Sequence, residues 1–216
     1  MDLKEFQIKE PNKIKEAWNW LWKSDSWLSW LVSLLIAFII VKFIFFPLLS
    51  LVFSTSLPLV VIESSSMHHQ GFIGNWFKTK GSFDNWWNQY HSWYEKNNIS
   101  QSEAEKFSFR TGLEKGNIII VWGRGELKLG DIIIFNAGQQ YPIIHRIIKI
   151  ENINNTLYYS TKGDNNNLAG REQFQFESGI KKEQILGKAV FRIPLLGWVK
   201  LAFVEIIRFI IGIFKV

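Results

Sequence analysis

Between Trp27 and Ile62 the chain carries one ionisable side chain, Lys42, and charge returns only at Glu63. Roughly 20 apolar residues cross the hydrocarbon core of a bilayer as a helix, so residues 27–53 are expected to form a transmembrane anchor. A cleavable signal peptide has a shorter apolar region, typically about 7–15 residues, that ends at a small-residue site. Here the run is longer and 26 residues precede it, which favours an anchor that stays. Lys13, Lys15 and Lys23 lie just before it, while no Lys or Arg occurs between Phe43 and Phe77. Basic residues flanking a span favour the cytoplasmic side. Residues 1–26 are therefore expected to be cytoplasmic, in a cell membrane, with the chain beyond Ser54 on the exported side.

Charge elsewhere points the same way. The chain has 216 residues and a net charge of +6. Most of the excess sits in residues 179–216, where seven basic residues face two acidic ones beside a very apolar terminus. Anionic lipid suits that pattern. Nucleic acid does not, because no helix-turn-helix or stacking-platform motif accompanies the charge. The absence of cysteine excludes disulfides as staples.

Around the anchor, Trp18, Trp20, Trp22, Trp27 and Trp30 suit the headgroup layer, where an amphipathic indole is favoured. Pro47 and Pro58 mark a passage from helix to extended chain, and "LPLVVIES" reads as a strand. Residues 70–113 mix aromatic with polar residues, and a helix is expected over 84–96. This insert suits a satellite subdomain with its own aromatic core, or alternatively a surface that rests on lipid or guides a substrate. Five short β-branched runs follow, at 116–123, 130–138, 142–150, 156–164 and 187–197. Bounded by Gly and Asn turns, they describe an all-β domain of coiled sheets over 54–196. Residues 197–216 form a further apolar segment in which Lys200, Glu205 and Arg208 fall on one helical stripe. It suits an interfacial helix or a second membrane helix packed on the first, and the second is the expectation carried forward.

Chemistry concentrates in three places. "ESSSMHH" sets Ser64, Ser65 and Ser66 just beyond the first exported strand. A serine hydroxyl needs a base to become a useful nucleophile, and the four histidines are His68, His69, His91 and His145. His68 and His69 are close to Ser66 in sequence, and His91 lies in the insert. His145 interrupts the apolar row of "PIIHRIIKI", a pattern that on its own suits a core histidine satisfied by a carbonyl. "STKGDNNN" supplies Asp164, which on its own is a good turn residue. Zinc held by His68, His69 and His145 lacks an evident fourth ligand, so no metal or other cofactor is expected.

Taken in order, these pieces resemble signal peptidase I of the archaeal and endoplasmic-reticulum branch. "SSSM" matches the Ser-Gly-Ser-Met end of that family's first strand, "GDIIIF" its Gly-Asp-hydrophobic-Phe box, "IIHRII" its Ile-His-Arg-Ile box and "TKGDNN" its Thr-Lys-Gly-Asp-Asn-Asn box. "GKAVFRIPLLGWV" resembles the strand that closes the family domain. The resemblance covers residues 57–199 apart from the insert. It implies a mainly β peptidase domain with Ser66 as nucleophile, His145 as base where the bacterial branch uses lysine, and Ser64 beside the Ser66 N–H in the oxyanion hole. It further implies secretory preproteins as substrates, cleavage after small side chains, and the protein-export translocon as a neighbour.

The chain departs from the pattern in places. His68 and His69 follow the Met where the family has a charged residue and Pro, and Asn117 replaces the acid of another box. Gly170 stands where some members carry a second acid. The imidazole-orienting role is therefore expected for Asp164, with Glu172 in reserve. Lys162 and Arg146 are expected to be peripheral supports. Met67 suits either a substrate pocket or plain packing. Two alternatives remain: a processing protease with a narrow client such as a pilin or surface protein, and a non-catalytic membrane adaptor whose site has decayed.

Overall fold

A computed structural model describes residues 12–69, 79–166 and 173–213. The chain divides between Leu49 and Ser50 into two compact units.

In the first unit, helix α1 (Lys13–Lys23) is followed by α2 (Trp27–Ile40), with Ser26 capping α2 through its hydroxyl. Ser29 is buried, and its hydroxyl donates to the carbonyls of Trp20 and Leu21 at 2.9 Å each. The Trp20 carbonyl also accepts from the Ser24 N–H, whereas the Leu21 carbonyl is one that the end of α1 leaves without a helical donor. A π-helical turn, Val41–Phe45, joins α2 to α3 (Phe46–Phe53). Pro47 is the physical reason: it lacks the N–H that would bond Phe43 and its ring crowds that carbonyl. The ladder resumes with the Phe46 N–H on the Val41 carbonyl, five residues back. Residues Trp27–Phe53 together form a helix long and apolar enough to cross a membrane, and none of its most apolar window is buried by protein.

The second unit is built on one seven-stranded antiparallel sheet in the order β1-β2-β7-β3-β4-β5-β6. Its strands are β1 (Leu59–Val61), β2 (Ile118–Trp122), β3 (Ile132–Phe135), β4 (Ile143–Ile153), β5 (Thr156–Lys162), β6 (Ile180–Lys181) and β7 (Ile185–Ile193). Each expected β-branched run supplies one strand, and β6 is an addition. Asn154 and Asn155, both at positive φ, link β4 to β5; such a two-residue turn matches the twist of a hairpin.

Strand β3 explains the core. All four of its residues are fully buried, with Ile132 and Ile134 in one cluster and Ile133 and Phe135 in another. A continuous apolar run, rather than an alternating one, is what a strand covered on both faces requires. Strand β4 extends both faces. Ile143 and Ile147 join the Ile133 and Phe135 side, whereas Ile144 joins Ile132 and Ile134.

The aromatic residues of the insert form a cluster that also takes in Ile148 of the sheet. Helix α4 runs over Thr79–Lys96, beginning earlier than the expected 84, and α5 (Gln101–Ala104) follows behind a Ser100–Glu103 capping box. Trp86, Trp87, Tyr90 and Tyr94 pack with Phe107 and with Ile148 of β4. Helix α6 (Trp198–Ile213) ends the described chain. Its 16 residues rise about 24 Å at 1.5 Å each, less than the roughly 30 Å of a hydrocarbon core. Within the polar stripe Arg208 reaches Glu205 at 3.0 Å, while Lys200 reaches Glu63, outside the helix, at 2.8 Å.

Candidate active site

Ser66 occupies the turn that leaves β1. Upstream, the Ile62 N–H donates to Asn117 and the Ile62 carbonyl accepts from Gly116. Downstream, the fully buried Met67 packs with Ile62, Leu113 and Ile119, and its carbonyl accepts from the Leu113 N–H. Met67 is thus core packing, and the serines between these fixed points are held at the surface.

Strand alternation brings the imidazole to them. His145 pairs in register with Ile133 and shares its face with Ile143 and Ile147. Its Nε2 lies 3.1 Å from Ser66 Oγ, and Ser64 Oγ lies 3.1 Å from the same oxygen. Two hydroxyls and an imidazole, drawn from segments 79 residues apart, meet within hydrogen-bonding range.

The acid beyond the imidazole is Glu177, which the sequence reading did not single out. Its Oε1 stands 2.5 Å from His145 Nδ1, and both residues are buried. The approach is an ion pair by distance but lies off the hydrogen-bond axis, since neither atom completes a directed bond. Glu177 ends a short 3₁₀ helix (Gln175–Glu177), where its other oxygen accepts from the Phe174 N–H at 2.6 Å. Phe176, beside it, packs on the same cluster as Ile143 and Ile147. The only sequence cue was this acid's place after the alternating Phe174 and Phe176.

Asp164 does not meet His145. Its Oδ1 accepts from Arg146 Nε at 2.8 Å, and its Oδ2 accepts from Arg146 Nη2 at 2.6 Å and His69 Nε2 at 2.8 Å. The reason is strand geometry: adjacent residues of a strand point to opposite faces, and Arg146 directs Asp164 to the face that His145 leaves. There the Arg146 guanidinium lies over the Phe107 ring of the insert. Burial would raise the Asp164 carboxyl, but Arg146 and His69 outweigh it and hold the group well below the usual carboxylate range. Burial also depresses the His69 imidazole, which the Asp164 contact only partly offsets. His69 is thereby neutral near pH 7, donating from Nε2, with Nδ1 buried and unpartnered.

Other expected residues fall into place around this pair. Arg146 and Lys162 are wholly buried rather than peripheral. Arg146 spreads its remaining donors over the carbonyls of Ser108, Gly130 and Phe109, while Lys162 sits within 5.1–5.5 Å of the rings of Tyr90, Trp93 and Tyr94. His68, His69 and His145 turn to three different carboxylates, those of Glu114, Asp164 and Glu177. A shared metal would need them to converge. His91 is exposed on α4 and contacts the Asn88 carbonyl. Glu172 and Gly170 lie outside the described residues.

Chemically, a hydroxyl next to an imidazole that is backed by a carboxylate can form and resolve an acyl intermediate. Comparison with known proteins supplies independent context. The chain is 30% identical over 103 residues to the signal peptidase complex catalytic subunit sec11 of Sclerotinia sclerotiorum, covering 45% of this chain and 60% of that protein. The corresponding subunits of Leptosphaeria maculans, at 30%, and Metarhizium robertsii, at 25%, align over the same shares. The chain thus spans about three fifths of the length of these curated relatives. No protein-family model matches it.

Proposed function

We propose that the chain is a membrane-anchored serine endopeptidase that removes signal peptides from secretory preproteins. The contact that carries this reading is Ser66 Oγ at 3.1 Å from His145 Nε2, with Glu177 behind the imidazole at 2.5 Å. The likeness to signal peptidase catalytic subunits gives the chemistry its substrate class.

In the proposed mechanism His145 takes the Ser66 proton as Oγ attacks the scissile carbonyl. The imidazolium that forms is stabilised by the Glu177 carboxylate, which also holds Nδ1 as the protonated nitrogen. The oxyanion is received by the Ser66 N–H and the Ser64 hydroxyl, a reading supported by the 3.1 Å between the Ser64 and Ser66 hydroxyl oxygens. His145 then gives its proton to the leaving amine, and water, activated by the same imidazole, releases the acyl group from Ser66.

The helix over 27–53 is the anchor in this reading, and residues 54–65 are the short tether from it to Ser66. Holding nucleophile and membrane-bound substrate at one surface removes much of the entropic barrier to their encounter. The basic residues before the anchor favour a cytoplasmic N-terminus, and in this reading the catalytic domain lies on the exported side. Helix α6, 16 residues whose charged side chains are each paired, Arg208 with Glu205 and Lys200 with Glu63, acts as a second membrane-associated element. The relatives are named as subunits of a complex, so partner subunits, and the translocon as a neighbour, belong to the same proposal. A decayed adaptor is disfavoured because a side chain outside catalysis has no need of a serine, an imidazole and a buried carboxylate in line.

The test is cleavage of a panel of preproteins by the wild-type chain and by Ser66→Ala, with the product N-termini sequenced. Cleavage after small side chains across the panel, abolished by the substitution, is expected. Cleavage of one client alone would restrict the enzyme to a dedicated role, and equal rates for the two proteins would end the proposal.

A further inference from the structure

Helix α4 of the insert reaches the serines of the Ser66 turn through Asn165. The Asn165 N–H donates to the Ser66 carbonyl at 2.8 Å, and its Nδ2 donates to the Ser65 carbonyl at 3.1 Å. Its Oδ1 accepts from the Tyr90 hydroxyl at 2.8 Å. Every end of this side chain amide is therefore assigned: the Ser65 carbonyl, which can only accept, turns the NH2 end to the serines and leaves Oδ1 for the Tyr90 hydroxyl. One turn earlier on α4, Trp86 donates from Nε1 to the Asp164 carbonyl at 2.9 Å. Its indole lies flat on the His69 ring, with centroids 4.5 Å apart and planes within 6°. Two residues of one helix face thus grip both segments that meet behind the nucleophile.

We propose that Tyr90, acting through Asn165, is a positioning residue that sets the backbone of Ser65 and Ser66 for catalysis, so that the insert is a buttress of the active site. The inference rests on Ser66 being the nucleophile. It assigns the aromatic core of the insert a purpose that packing alone does not require. Packing would be served equally by phenylalanine at position 90, and the Trp86 nitrogen would need no backbone carbonyl from the Asp164 turn. Burial keeps the Tyr90 hydroxyl above the ordinary tyrosine range, so it remains a donor throughout neutral pH. Asn165 itself makes no contact with Ser66 Oγ, Ser64 Oγ or His145. Its influence is on where the main chain holds Oγ and the Ser66 N–H, a geometry to which rates are steeply sensitive.

The experiment uses the full chain in detergent, with wild type, Tyr90→Phe, Asn165→Ala and the double variant. Two quantities are read: steady-state cleavage of a preprotein, and amide hydrogen exchange of peptides spanning 64–69, 164–166 and β3–β4. Tyr90→Phe keeps the ring and its packing. The expected result is a fall in kcat of about tenfold with KM changed less than about twofold, as misplacement of a reacting group predicts. Faster exchange should be confined to 164–166 and 64–69. The double variant should be no slower than Asn165→Ala, because the two residues act in series. An unchanged kcat with unchanged exchange would overturn the proposal, as would effects of the two substitutions that multiply. Exchange is read whether or not the protein cleaves anything. Localised loosening in a chain that fails on every preprotein would therefore support the buttress while refuting the peptidase reading.

Discussion

On the proposed mechanism, replacing Glu177 by Gln should cost far more activity than stability. The substitution keeps the volume of a fully buried side chain and exchanges a carboxylate for an amide beside His145 Nδ1. In the acylation transition state the imidazole carries a full positive charge. At a charge separation of about 4 Å and an effective dielectric of about 20, the lost attraction is about 4 kcal/mol, or roughly a thousandfold in rate. An amide that can donate also invites the wrong imidazole tautomer, so the expected fall in kcat is about 10³–10⁴-fold. Asp164→Asn should behave in the opposite way. It leaves the buried Arg146 without its anionic partner, and removing one member of a buried pair typically costs about 3–5 kcal/mol of stability. Both variants should be assayed for preprotein cleavage, normalised to the folded fraction from a thermal melt. Glu177→Gln within tenfold of wild type, with folded Asp164→Asn a thousandfold slower, would refute the assignment of the acid.

Three further outcomes are expected. Gly112 has φ +76°, and a Cβ there would come within 2.6 Å of the His69 ring and of the Met67 carbonyl; Gly112→Ala should therefore destabilise the fold by about 1–3 kcal/mol, seen as a lower melting midpoint. His69 has its imidazole depressed by burial, so the unfolded chain takes up a proton below about pH 6.5 that the folded chain refuses. Stability should fall as pH drops from about 6.5 toward the lowered folded value, with a slope of at most about 1.4 kcal/mol per pH unit. His69→Gln, which can still donate to Asp164, should flatten that slope in denaturant titrations at pH 7, 6 and 5, and an unchanged slope would contradict the cause. Ile40→Arg, at the middle of the apolar helix, should weaken membrane insertion by about 2.5–3.5 kcal/mol, measured as loss of the chain from the carbonate-resistant membrane fraction.

What could be read without coordinates follows from where the information is local. The Ile-rich runs bounded by Gly and Asn announce their strands because a strand covered on both faces, such as β3, writes its burial directly into consecutive residues. The insert's helix and aromatic core were legible for a similar reason. Ser66 and His145, read from their own boxes, do meet. The acid was not legible, because the decisive fact is which face of β4 each residue takes. His145 and Arg146 are neighbours in sequence and point apart, so Asp164, attractive in a turn, belongs to the arginine. Glu177 reaches the imidazole by way of Phe176 packing on the cluster of Ile143 and Ile147, a contact between segments far apart in sequence. Likewise, the burial of Lys162 depends on three rings from a helix that precedes it by some seventy positions, which no local pattern encodes.

The central claim is that Ser66 and His145 act as one catalytic unit. Rates of preprotein cleavage by Ser66→Ala, His145→Ala and the double variant, at equal folded concentration, test it most directly. Groups that work together lose nearly everything at the first substitution, so all three variants should share one residual rate. Either single variant retaining wild-type activity, or a double variant slower by the product of the single effects, would contradict it.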